Sequence, residues 1–545
     1  MSSLLRHQCE AIASSGDRAQ VKDLPACPPP GTRHDILLNS NEAPLDSDVP
    51  VIQSEISNAD AHLECLATEI ARLHDYAHLN QIEEDHISLS TYRARNKAIL
   101  SPLRRIPPEV LGEIFSWTIP SLNECWERER FRMADSPWLL THVSRRWRAA
   151  AIANPSLWSF VAISYQSNID PTWAYPLSMV QTQLERAQKL NILFGGCETT
   201  DYRPQVDIFQ SLAEYSSRWE ELTLHLTSHL VPLLARLRDR VPLLRTFWIQ
   251  WDEEKSQEGV GSIDCFQDAP ALVKVGICNE YRPITCPLPQ YQLTHYDVDG
   301  PWEVHRDIIR HSPNLVEASV KILPDVPADE PLSDSNSGEI INLLFLRRLF
   351  VSHPDILEFL RFPALEEISI DVNREGDSAI PTNLKLSIAR SASLRRLCLN
   401  GCPDAHGTME ILEKFPLIIE LAIIIDTLVC SSNAVTLMQL LTGSDTVGSN
   451  VVAPQLASLA FACTDEGWVH HAVYLEMVTS RWSADRRALK SVSLLTNSGP
   501  SPDSATIVGL SKLRDDGLDL LLLEGEDAEN VMDKWLCCSL ESLKL

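Results

Sequence analysis

Leu365-Glu-Glu-Ile368-Ser-Ile370 and Leu394-Arg-Arg-Leu397-Cys-Leu399 share one pattern: apolar, two others, apolar, one other, apolar. The last two apolar positions are two apart, the spacing that puts side chains on one face of a strand. The same spacing occurs upstream in Trp219-Glu-Glu-Leu222-Thr-Leu224, Leu244-Arg-Thr-Phe247-Trp-Ile249 and Leu272-Val-Lys-Val275-Gly-Ile277. It recurs at 293–298, 315–320, 346–351, 418–423, 456–461, 489–494 and 540–545. Middle anchors run from Leu222 to Leu543 at a mean spacing of about 29 residues, and the wide gap before Leu543 predicts a further strand at 517–520. Helix-like runs such as Asp207-Ile-Phe-Gln-Ser-Leu212 lie between the strands. Strands joined by crossovers of this length pair in parallel, so residues 166–545 are predicted to be α/β with a parallel sheet.

Two copies extend further, Leu394-x-x-Leu397-x-Leu399-x-x-Cys402 and Leu365-x-x-Ile368-x-Ile370-x-x-Asn373. These resemble leucine-rich repeats. The resemblance implies a solenoid in which each strand is capped by a helix or helical turn, and in which Cys402 and Asn373 bond the turn backbone. Its irregular periods make the array degenerate. Long polar stretches at 323–339 and 497–505 read as loops.

The proposed register makes a specific geometric claim. Arg348, Glu367, Arg396 and Glu420 precede four successive anchors and would form one row of alternating charge. Phe350, Ser369, Cys398 and Ala422, one position beyond the anchors, would form a less polar row beside it. Phe350, Ser369 and Cys398, with Trp248, are the candidate substrate contacts. The charged row reads either as a partner-facing patch or as a ladder of neighbouring ion pairs. Alternation of sign weakens the field a ligand would feel, which favours the ladder.

Upstream, residues 1–48 show no periodic apolar face and are predicted to be a disordered tail. Residues 49–100 then carry Val49, Ile52, Ile56, Ala59, Leu63, Leu66, Ile70, Leu73 and Ala77 at alternating spacings of three and four. This is a heptad seam on a helix beginning near Pro50. Two packings satisfy it: a coiled coil that dimerises the chain through 51–98, or a helix folded back on its own chain. Asn80 and a shift of phase after Ala77 break the seam and lean toward the fold-back.

Residues 101–165 are predicted to be a compact helical unit. Pro107-Pro108-Glu109 starts a helix, and Val110, Leu111, Ile114 and Phe115 form its apolar stripe. Leu139, Leu140, Val143 and Trp147 repeat the stripe before Pro155 ends the second helix. Ile106-Pro107-x-Glu109-Val110-Leu111-x-x-Ile114-Phe115, followed by Val143-Ser144-Arg145-Arg146-Trp147, resembles the F-box domain. The wider stretch 36–163 resembles the large F-box family of mushroom-forming fungi. Ser144 stands where that family often has cysteine, Ile106 replaces leucine, and 120–135 is a long insertion. The resemblance implies that Ile106, Pro107, Glu109, Val110, Leu111, Ile114 and Phe115 dock on a Skp-type adaptor, with Val143 and Trp147 bracing the second helix.

Composition bounds the rest. Forty-seven Lys and Arg against 74 Asp and Glu leave a net charge of −27, which argues against general affinity for nucleic acid or an anionic membrane. The fourteen cysteines come without a signal-peptide pattern or a strongly apolar span, so reduced thiols in the cytoplasm or nucleus are expected. Phosphate-loop, dinucleotide, zinc-protease and nucleophile-elbow motifs are absent. No catalytic residue, metal or cofactor is predicted. Cys398, Cys402 and His406 are spaced four apart, but Cys398 falls on a strand, where packing outweighs ligation. The resemblance implies a non-enzymatic substrate-recognition subunit of a Skp–cullin–F-box ubiquitin ligase, joined through the adaptor to a cullin, with the repeats holding an unknown protein substrate. The alternative is an F-box and repeat scaffold that does not promote ubiquitylation.

Overall fold

The computed structural model describes residues 28–71, 76–120, 132–165, 175–322, 340–372, 393–401, 403–425, 431–442, 453–464, 470–483, 488–497 and 502–536. The described residues divide into a helical unit, 28–120 with 132–158, and a sheet unit from Ser159 on.

In the helical unit, α1 (Arg33–Asn39) is capped by Thr32, whose hydroxyl accepts from Asp35 N at 3.2 Å. Leu37 is buried with Ile52 and Ile99, and His34 Nε2 lies 2.6 Å from Asn96 Oδ1. The expectation of a disordered tail through residue 48 is therefore corrected for this stretch. One short helix shows no periodicity of its own, and its partners lie far along the chain. Residues 1–27 of the expected tail lie outside the described residues.

The predicted single helix over 49–100 is two helices, α2 (Val49–Ile70) and α3 (Tyr76–Ile99). They pair as an antiparallel hairpin: Ala59 and Leu66 meet Leu89, with Leu63, Ile82 and Tyr92 packed around them. Tyr92 Oη donates to Glu55 Oε2 at 3.2 Å, and Arg93 pairs with Asp60. The seam positions Ile52, Ile56, Ala59, Leu63 and Leu66 thus pack within the chain, while Leu73 lies outside the described residues.

Among the described residues three short α-helices follow: α4 (Pro108–Ser116), α5 (Leu140–Val143) and α6 (Arg145–Ile152). Pro108 sits in the first turn of α4 and supplies its fixed φ where no amide is needed. Ser144 caps α6 by accepting from Trp147 N at 3.1 Å.

The sheet unit contains, among the described residues, a fourteen-stranded parallel sheet whose strands are ordered as they occur in the chain. They are β1 (Phe160–Ser164), β2 (Leu190–Gly195), β3 (Trp219–Leu226), β4 (Thr246–Trp251), β5 (Lys274–Ile277), β6 (His295–Asp299) and β7 (Glu317–Lys321). Then come β8 (Arg348–Val351), β9 (Glu367–Asp371), β10 (Arg396–Asn400), β11 (Glu420–Ile425), β12 (Ser458–Cys463), β13 (Ser491–Thr496) and β14 (Asp519–Glu524). Ile341–Asn342 and Leu360–Arg361 form a separate two-stranded parallel pair.

The register joins every anchor to the next, from Leu222 opposite Phe247 through Ile368 opposite Leu397 to Val492 opposite Leu520. β14 supplies the strand expected at 517–520. β1 and β2 are additional, and β1 moves the boundary expected at 165 back to about 159. Trp158-x-x-Val161-x-Ile163 carries the same spacing one repeat before the predicted array, whereas β2 lies outside it: Lys189 holds the leading position, and the register to β3 shifts at Leu190–Asn191. The expected strand at 540–545 and the turn residues Asn373 and Cys402 lie outside the described residues.

The anchor face is buried against the connections. α8 (Tyr202–Glu214), α10 (Trp302–Arg310) and α13 (His471–Ser483) place rings there: Phe194 on Phe209 at 5.4 Å, Tyr296 on His305 at 5.8 Å and Phe461 on Tyr474 at 5.8 Å. (Helices α7, α9, α11, α12 and α14 are Leu177–Arg186, Val231–Leu234, Ala405–Lys414, Ser431–Leu441 and Ser504–Asp515.) Gly276 is required where it stands, because a Cβ there would lie 1.9 Å from the Trp248 ring across the neighbouring strand.

His305 is fully buried. Its Nε2 faces the carbonyls of Gly300 and Lys321 at 3.0 and 3.1 Å, and its Nδ1 lies 2.7 Å from Tyr296 Oη. The neutral ring satisfies all of these with Nε2 donating and Nδ1 accepting. Burial pushes its pKa down to about 4. An unfolded histidine, titrating near 6.5, takes up a proton that the folded one refuses. The stability this group contributes is complete above about pH 6.5 and is lost as pH falls through that value toward 4. His305→Gln should flatten the pH dependence of urea-unfolding free energy between pH 7 and 5.5 by up to one proton; an unchanged slope contradicts the assignment.

Candidate functional site

The first candidate surface belongs to the helical unit. Leu111 and Phe115 are 1% and 0% exposed, and Trp138, Leu140, Ala151, Leu157 and Trp158 of the same unit are buried as well. Phe115 stacks obliquely on Trp147 at 4.9 Å, and Trp138 meets Trp158 edge-on at 5.0 Å. Gly112 lets Asn154 approach: a Cβ there would stand 3.0 Å from Asn154 Nδ2. The Arg146 guanidinium donates to the carbonyls of Arg104 and Ile106, tying the start of α6 to the entry of α4.

This arrangement corrects the expectation that Leu111 and Phe115 contact a partner directly. Their positions on α4 point inward, as i and i+4 residues of one face. The outward row is Val110, Ile114 and Trp117, at i, i+4 and i+7, exposed by 46%, 44% and 88%. Val143 is 51% exposed at the end of α5. Pro107 and Glu109 are exposed as well, while Ile106 and Trp147 are half-buried. Sequence reasoning missed Trp117, although its place one helical turn beyond Ile114 was the available signal.

The second candidate surface is the sheet face opposite the anchors. The charged row stands in register: Arg348 opposite Glu367, Glu367 opposite Arg396, and Arg396 opposite Glu420. Arg348 Nε is 3.4 Å from Glu367 Oε1, Arg396 Nη1 3.7 Å from Glu367 Oε2, and Arg396 Nε 3.9 Å from Glu420 Oε2. The row runs on through Glu317, 3.1 Å from Arg348 Nη1, to His295, 3.7 Å from Glu317, and to Lys274 in register beyond. Burial pushes the His295 pKa down against the opposing pull of Glu317; Lys274 and Arg348 push it further the same way. Chemically this is a chain of mutually neutralising pairs.

The four candidate contacts on the adjoining row are not open. Trp248, Phe350 and Cys398 are 1%, 7% and 0% exposed, and burial pushes the Cys398 thiol up to about 12. Trp248 lies across Gly276 and packs with Cys278. Ser369 Oγ donates to the carbonyl of Trp535 at 2.9 Å. The expectation that these residues touch a substrate is corrected. Helix α15 (Glu526–Leu536), which follows the last described strand, covers Ser369 and Cys398. No sequence pattern at 365–400 could have announced it, since Trp535 is contributed from the far end of the array.

Among the described residues, no three His, Cys, Asp or Glu side chains are gathered to hold a metal ion, and no helix is long and apolar enough to cross a membrane. No protein-family model matches the chain, and no curated protein matches it.

The ladder predicts an asymmetric mutational response. Glu367→Ala removes two half-exposed ion pairs and should cost at most about 1 kcal/mol in urea unfolding. Glu367→Arg sets three cations in adjacent strands and should cost more, with part of the loss recovered in 0.5 M salt. Equal costs for the two substitutions would contradict the ladder.

Proposed function

We propose that the chain is a substrate-recognition subunit of a Skp–cullin–F-box ubiquitin ligase. Its helical unit docks on a Skp-type adaptor, and its sheet unit is a degenerate leucine-rich-repeat solenoid that holds a protein substrate. The observation that carries this reading is the outward row of α4. A unit whose own core is closed by Leu111, Phe115 and two tryptophans still leaves Val110, Ile114, Trp117 and Val143 to solvent. Apolar residues grouped in this way on a small domain suit a protein partner. They lie on the segments whose residues resemble the F-box pattern. The serial strand order and the helical or turn-like connections support the solenoid. Such a subunit needs no catalytic group, because it acts by raising the local concentration of substrate near the conjugating enzyme.

The buried pair is a poor test, since Leu111→Ala or Phe115→Ala would cost roughly 3 kcal/mol of folding stability by leaving cavities. The outward row is the better one. Val110→Asp with Ile114→Asp should leave the unfolding midpoint nearly unchanged. It should weaken binding of a purified Skp-type adaptor by at least about 2 kcal/mol, roughly thirtyfold in Kd. A folded double variant that binds the adaptor as wild type does would overturn the reading. Adaptor binding without ubiquitylation of any captured protein in a reconstituted assay would identify the scaffold alternative.

A further inference from the structure

The turns that lead into parallel strands all emerge at one edge of the sheet, so residues equally far ahead of successive strands form rows there. Immediately before the leading apolar residues Leu315, Leu346 and Leu365 stand Asn314, Phe345 and Ala364, ahead of β7, β8 and β9. Two positions further on the row reads Val316, Arg347 and Glu366, one residue before the paired Glu317, Arg348 and Glu367. Together with Leu344, most of these residues line an open groove of about 400 Å³ at the edge of the sheet. Leu315, Leu346 and Leu365 are fully buried, but Leu344 and Phe345 are 58% and 57% exposed. The same edge carries the exposed side chains of Tyr291, ahead of β6, and Leu417, ahead of β11. From β6 to β11 is five strand spacings, about 24 Å, and apolar side chains grouped over such an extent suit a protein contact.

Neighbours in these rows complement each other. Phe345 is the largest side chain of its row, and Ala364 beside it is the smallest. Arg347 and Glu366 are opposite in charge, yet their closest atoms stand 3.8 Å apart and both side chains are largely exposed. The pair is therefore loosely joined within the chain and open to other partners. A knob beside its hole, and a cation beside its anion, are what an isologous contact requires, because a two-fold axis exchanges neighbours. An axis along the sheet normal, midway between β8 and β9, sets Phe345 against Ala364 of the partner subunit. The same axis sets Arg347 against Glu366 of the partner subunit. One operation satisfies both rows.

We propose that this edge is a self-association surface whose occupant is a second copy of the chain. It is distinct from the α2–α3 seam, which packs within the chain, and it does not depend on the adaptor reading.

Sedimentation equilibrium of the full chain, without any adaptor, tests it. The wild type should pass from monomer to dimer as its concentration rises through the micromolar range. Phe345→Asp should remain monomeric with an unchanged unfolding midpoint, because the ring it removes is mostly exposed. Ala364→Trp, which fills the hole from the other side, should do the same and decides the case if Phe345→Asp fails to fold. Arg347→Glu and Glu366→Arg, each alone, set like charges across the axis and should weaken association at least about tenfold. Mixed in equal amounts, these two variants should recover dimers, since one copy then carries two acids and the other two bases. An ion pair that matters only within the chain predicts no recovery, because every copy in the mixture still holds a like-charged pair. A wild type that stays monomeric, a dimer that survives the folded steric variants, or a mixture that associates no better than its components would overturn the proposal.

Discussion

The packing of one apolar row on one side of one sheet decides most of this structure. Leu222, Phe247, Val275, Tyr296, Ala318, Leu349, Ile368, Leu397, Leu421 and Leu459 stand in successive strands and are all buried. Because side chains alternate, fixing that row fixes its neighbours: a slip of one residue would turn every anchor toward the other face. The ion-pair ladder, the position of Trp248 over Gly276 and the residues under α15 all follow from this register. Each is a row on the face the anchors leave behind.

That dependence explains what was legible in the sequence. The apolar spacing gives strand positions and register together, so Glu367 could be placed beside both Arg348 and Arg396 before any coordinates. It fails at β2, where Lys189 holds the leading position and the register to β3 shifts, while at β1 the spacing of Trp158, Val161 and Ile163 is present but falls in the stretch assigned to the helical unit. It is silent about α15 on Cys398 and Ser369, because no local pattern says which face of a sheet a helix beyond the last described strand will cover. Of the four residues first read as open contacts, Ser369 and Cys398 are met by this helix, while Trp248 is closed over Gly276 and Cys278.

The helical unit shows the same limit in another form. Periodicity identified the stripe Val110, Leu111, Ile114 and Phe115, but a stripe two residues wide has an inner and an outer edge. Trp147, which stacks on Phe115, and the buried pair Trp138 and Trp158 come from segments beyond the insertion. Once those are in place, Val110 and Ile114 become surface and Trp117 joins them. The heptad of α2 likewise gave two possible partners, and the chain supplies one itself in α3. A short helix such as Arg33–Asn39 has no signal at all until Ile52 and Ile99 are brought to Leu37.

On the function proposed above, the chain would capture a Skp-type adaptor through the outward edge of α4 and leave the sheet for another partner. Hydrogen–deuterium exchange of the full chain, with and without a saturating purified Skp-type adaptor, tests it most directly. The account predicts added protection over 106–117 and 139–148 with the exchange of β3–β13 unchanged. Protection that appears in the sheet and spares those two segments, or no protection at all, would contradict it.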